Sequence, residues 1–134
     1  MGYLDYVSLC YSVRVASIDV RVLVCGSRHF HDQERINREL SSIRNISEII
    51  HGGAAGTDTC AGTFGRNNNI PVQRFRALWE LYGRRAGPIR NRQMLREGKP
   101  DLVIAFLAPN SRGTKDMITA AKEANIPIQV INIP

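Results

Sequence analysis

A chain of 134 residues, 43% hydrophobic and 22% charged, is long enough for one compact core, too short for two, and balanced like a globular rather than a disordered protein. No apolar run approaches the roughly 18–20 residues of a membrane span, and the N-terminus lacks a charged, apolar, small-residue leader pattern; a cytoplasmic protein without a membrane partner is expected. The net charge of +6 and pI near 9.7 favour an anionic partner over a cationic one.

Residues 1–17 show neither periodicity nor turn chemistry and read as an N-terminal extension, with a single domain over 18–134. From there the pattern is regular. "VRVLVCG" (20–26) is a continuous apolar strand. "DQERINRELSSIR" (32–44) places Ile36, Leu40 and Ile43 on one helical face behind an Asp32 cap. A strand over 47–53, a helix over 57–67 and a strand over 70–75 follow. Residues 77–87 have no sustained period and are expected to loop, with at most one helical turn. Pro88 suits the first position of a helix over 88–98 that turns Ile89, Met94 and Leu95 inward and stops at Gly98. "DLVIAFLA" (101–108), the most hydrophobic strand, is expected at the sheet centre. A helix over 113–125 and a strand over 126–133 complete the chain.

Strand and helix thus alternate throughout. The expected fold is α/β: a Rossmann-like three-layer sandwich around a mainly parallel five-stranded sheet. Ligands of such sheets bind at the carboxyl ends of the strands, beside the point where the winding reverses. Four loops fall on that edge, and they hold the unusual residues.

"GGAAGTD" after the second strand lacks the lysine of a phosphate-binding P-loop, and "CGSRHF" after the first lacks the glycine spacing of a dinucleotide fingerprint. The physics behind both motifs still applies: Gly52, Gly53 and Gly56 can bring backbone N–H groups close to a phosphate or ribose, with Thr57 as helix cap and hydroxyl donor. They can equally make only a tight turn. "APNSRGTKDM" repeats the design, with Gly113 and Thr114 at a helix start. Gly26, Ser27 and Arg28 leave the first strand at the same edge. Arg90, Arg92 and Arg112 would neutralise a small polyanion, with Asn91 among them; a solvated charged face is the plainer alternative. Trp79 and Tyr82 either stack on a base or anchor their loop. Asp58 and Asp116 either read sugar or base, or answer a helix dipole.

Cys10, Cys25 and Cys60 form no CxxC pair and read as small core residues. His29 and His31 flank a single residue beside Asp32, too few ligands for a metal site. Neither a metal nor a cofactor is expected.

Taken together, "VLVCGSRHF", "HGGAAGTDTCA", "W…YGRRAGPIRNRQML", "DLVIAF" and "SRGTKDMITAAKEANIPI" resemble the YspA-like, cpYpsA-related branch of the SLOG superfamily, over about Val20 to Ile131. The resemblance implies a Rossmann-like fold and a nucleotide or nucleotide-derived ligand. A more distant similarity is to the lonely-guy phosphoribohydrolases, which cleave the base from nucleoside monophosphates. It maps their helix-borne arginine onto Arg92 and their phosphate loop loosely onto "PNSRGTKDM", but sets their catalytic glutamate on Met117. A thioether cannot stabilise an oxocarbenium-like sugar, and the adjacent Asp116 is turned by about 100° along the helix, so under that reading Arg92 would act with Asp116, or with Asp58, in another geometry.

Three functions follow, in this order: a nucleotide-binding sensor, carrier or sequestering module, a nucleoside 5′-monophosphate phosphoribohydrolase, and a nucleic-acid binder. Homo-oligomerisation is expected.

Overall fold

The computed structural model describes residues 19–134; the expected extension over 1–17 lies outside the described residues. Five strands form one all-parallel sheet in the order β3-β2-β1-β4-β5. They are β1 (Val20–Gly26), β2 (Ile46–His51), β3 (Val72–Arg74), β4 (Leu102–Leu107) and β5 (Ile128–Asn132). The first three strands step one way across the sheet. The chain then crosses back to lay β4 against the other side of β1, so the winding reverses between β1 and β4.

Side chains alternate across each strand and thereby build two cores. On one face Val22, Val24, Ile49, Ile104 and Phe106 pack with Ile36, Leu40 and Phe64, under α1 (Gln33–Ser41) and α2 (Thr57–Asn67). On the other, Leu23, Ile50, Val103 and Ala105 pack with Met94, Met117 and Ala121. That face is covered by α4 (Ala86–Gln93), which widens into a π-type turn over Met94–Gly98, and by α5 (Arg112–Glu123). A short helix α3 (Trp79–Tyr82) and a 3-10 turn (Gly83–Arg85) precede α4.

Four expectations are corrected. β1 takes the centre, with two strands on either side of it, and β4 is interior beside it, between β1 and β5. Helix α4 starts at Ala86, two residues before Pro88, and buries Ala86, Gly87 and Asn91 while Ile89 stays 40% exposed. Gly98 does not stop that helix: it is the last helical residue, tucked so that a side chain there would meet Ile50, and the chain turns at Lys99 with φ 49°. Asp32 caps α1 through the Arg35 amide as expected. Helix α2, however, is capped by Gly56 and not by Thr57.

No helix among the described residues is long and apolar enough to cross a membrane.

Candidate functional site

All strands point the same way, so the turns after β2 and β4 lie on one edge, on either side of the exit from β1. Helix α4 ties them together. Arg90 Nη1 donates to the Gly52 carbonyl at 2.6 Å and Asn91 Nδ2 to the Gly113 carbonyl at 3.3 Å. Asn91 is buried; its Oδ1 accepts from Arg90 Nε at 3.1 Å and its Nδ2 also donates to Asp116 Oδ2 at 3.0 Å. The gap between the turns is therefore bridged by two side chains of the protein itself.

The β2 turn is satisfied from within. Asp58 Oδ2 accepts from the Gly52 and Ala54 amides, each at 3.1 Å, and the Gly53 amide donates to His51 Nδ1 at 2.9 Å. Of the glycines expected to cradle phosphate, Gly52 and Gly53 thus hold a carboxylate and an imidazole already, and Asp58, expected to read sugar, is buried under the turn. Burial pushes the Asp58 carboxyl up to about 6, against the pull of the Ala54 amide, the Arg90 charge and the Gly52 amide. His51 is pulled down to about 4, first by burial and then by Arg74, Arg66 and Arg90. It is neutral at pH 7, and Nδ1 as acceptor leaves the proton on Nε2. Burial with the nearby Asp58 charge pushes the Cys25 thiol far up, which removes it as a nucleophile.

The β1 exit is equally tight. A methyl group on Gly26 would stand 2.6 Å from Thr57 Oγ1 and 2.8 Å from Phe106 Cβ. The Thr57 amide and hydroxyl both donate to the Ser27 carbonyl, at 3.2 and 2.9 Å, and Ser27 Oγ accepts the His29 amide at 3.1 Å. Gly56, at φ 73°, presses against the Ser27 and Arg28 carbonyls. Gly26, Gly56 and Thr57 are packing residues here, joining α2 to β1.

The β4 turn differs. Helix α5 begins at Arg112 behind Ser111, whose side chain makes no capping bond. Arg112 and Gly113 are exposed, Thr114 is buried, and space is open where a side chain on Gly113 would begin. Arg28 is exposed on the neighbouring loop. Arg92 pairs with Asp116 Oδ2 at 2.9 Å and donates to the Pro88 carbonyl; the Asp116 bond raises its already high pKa. Met117 is fully buried in the core, so no carboxylate stands where the phosphoribohydrolase resemblance sets a glutamate.

Trp79 is 57% exposed, with its ring edge lying over Gly87. His29 and His31 are exposed, and among the described residues no three His, Cys, Asp or Glu side chains converge as metal ligands would. A concavity of about 330 Å³ lined by Arg92, Leu95, Arg96, Ala120, Glu123 and Ala124 lies on the helical face, toward the far end of α5 from the turns. Sequence reasoning missed His51 and Arg74. The one signal for His51 was a polar residue ending a buried strand just before two glycines; Arg74, packed over Gly53, gave none.

Residues 20–82 match the family described as YAcAr, the YspA, cpYpsA-related SLOG family. The chain is 34% identical over 117 residues to the Gene 61 protein of Mycobacterium phage D29, covering 81% of this chain and 93% of that protein. Its fold is similar to that of DNA processing protein A (DprA) from Streptococcus pneumoniae, with a TM-score of 0.63 and 19% identity. That likeness covers 87% of this chain but only half of DprA.

Proposed function

The chain belongs to the YspA, cpYpsA-related SLOG family, and from that premise we propose that it binds a nucleotide or nucleotide-derived phosphate ester at the carboxyl edge of the sheet. The seat is the rim between the β1 exit and the start of α5. The observation that carries the reading is that α5 opens with exposed backbone at Gly113, next to exposed Arg112 and with exposed Arg28 on the exit loop of the adjacent strand β1, and without a side-chain cap. Such a helix start offers N–H donors and partial positive charge to a phosphate, at the point where the winding reverses.

In this reading the β2 turn does not touch phosphate. Asp58, His51 and Arg90 hold it rigid, and Asn91 carries that rigidity to Gly113. Asp116, anchored through Oδ2 to Asn91 and Arg92, would meet a ribose hydroxyl with its other oxygen. Cleavage of the glycosidic bond is not part of the proposal, since Met117 is in the core and Asp116 is already neutralised by Arg92.

Calorimetry with mono-, di- and cyclic nucleotides tests it. Binding of at least one tighter than about 1 mM is expected, lost at least tenfold in Arg112→Ala. Silence across the panel, or binding indifferent to Arg112, would overturn it.

A further inference from the structure

Helix α3 and Leu78 just before it carry most of the exposed large apolar side chains among the described residues. Leu78, Trp79, Leu81 and Tyr82 are 43%, 57%, 67% and 43% exposed, and α3 buries none of its residues. An aromatic that serves only to anchor a loop is largely covered by it; Trp79 meets Gly87 along one ring edge, yet it and Tyr82 each keep a large part of their surface open. Trp79 and Tyr82 stand three residues apart, on one side of the turn.

The charge around them is one-sided. From Arg76 to Arg92 the chain holds five arginines and a single carboxylate, Glu80, which is taken up by Arg76 at 2.9 Å. Arg92 is paired with Asp116 and Arg90 is latched to Gly52. Arg84 and Arg85, both exposed, make no ion pair among the described residues.

We propose that Trp79–Arg85 is a stacking platform for single-stranded nucleic acid, with Trp79 and Tyr82 taking bases and Arg84 and Arg85 the adjoining phosphates. Exposed aromatics offer any unpaired base a π-face, and neighbouring arginines follow the backbone without reading sequence. A duplex hides its base faces and does not fit. A second copy of the chain would bring Arg84 and Arg85 against their own like charges on molecules of net charge +6. A membrane surface is served by a longer amphipathic helix, whereas α3 has four residues.

Trp79 is the only tryptophan in the chain, so its emission reports the platform directly. The full chain is titrated with a fluorescein-labelled oligothymidylate of about 12 nucleotides, followed by anisotropy, and with the unlabelled strand, followed by Trp79 emission. Binding at low salt with quenched emission is expected, weakened about tenfold in Tyr82→Ala. In Arg84→Ala/Arg85→Ala the log–log salt slope should be shallower by about 1.4. No binding at low salt, binding with unchanged emission, or variants that bind like the parent would each overturn the proposal. So would a blue shift with anionic phosphatidylserine vesicles but not with the strand, or sedimentation as a dimer that shields Trp79. The mononucleotide calorimetry with Arg112→Ala reads the other seat, so either reading can fail while the other stands.

Discussion

Arg90 reaches the carbonyl of Gly52 at 2.6 Å across 38 positions of sequence, and this single contact latches α4 to the β2 turn. Arg90→Ala should cost about 1.5–3 kcal/mol in urea unfolding, the usual range for a hydrogen bond that involves a charged group. A methyl on Gly52 would stand 2.6 Å from the guanidinium carbon, the movable end of a flexible side chain. Gly52→Ala should therefore break the same latch, and the double variant should be hardly worse than Arg90→Ala alone. Additive costs would show that the two residues act separately.

The buried pair under the turn makes stability depend on pH in opposing directions. Asp58 is raised from 3.8 to about 6, so its protonation supports the fold fully below 3.8, and that support is lost as pH rises through about 6. His51 is lowered from 6.5 to about 4, so its contribution is present above 6.5 and lost as pH falls through about 4. Between pH 4 and 6 the two offset each other. Asp58→Asn should steepen the acid loss, with the parent's stability relative to the variant falling by about 3 kcal/mol from pH 4 to 7. His51→Asn should flatten or reverse that limb. Parallel pH profiles for parent and variants would contradict both assignments.

Two glycines of the site should part company. Gly56 has φ 73° and its missing side chain faces the Ser27 and Arg28 carbonyls, so Gly56→Ala should cost about 3 kcal/mol or more, read as a lowered melting temperature. Gly113 opens onto free space in a helix. Gly113→Ala should hold or raise stability by about 0.5–1 kcal/mol while weakening nucleotide binding, because the methyl would stand where the proposed phosphate approaches. Unchanged affinity in a stable Gly113→Ala protein would move the ligand elsewhere.

Incubation with each nucleoside 5′-monophosphate should release no free base by chromatography. Met117 is buried and Asp116 is tied to Arg92 and Asn91, which leaves the β4 turn without an unengaged carboxylate of the phosphoribohydrolase kind. Base release abolished by Asp116→Asn would reverse this conclusion.

Most of the architecture was legible in the sequence, because strand and helix periods leave a direct trace. The unbroken run Val20–Gly26 and the helix Thr57–Asn67 are read to the residue, and the fold class follows from their alternation. What escaped was set by tertiary contact. Ile89 has the hydrophobicity of a core residue, but α4 begins two residues early and turns Asn91 inward to bond Gly113 and Asp116. The site was legible as a location and less so as chemistry. Glycines after β2 signal close backbone approach, yet their sequence does not say whether a ligand or Asp58 is the group approached. Bonds such as Asp58 to Gly52 span only six residues but depend on how the turn closes, and the Arg90 latch depends on packing across the sheet.

The pairing of β1 with β4 bears on how the protein comes off the ribosome. Arg21 and Asp101, joined at 2.9 Å, are 80 residues apart, so the middle strand is made while one of its two neighbours is still unsynthesised. At roughly 5–20 residues per second that edge waits some seconds with its hydrogen-bonding groups open to other nascent chains. Slow codons between α2 and β4 would lengthen that interval, and the yield of native protein should fall accordingly.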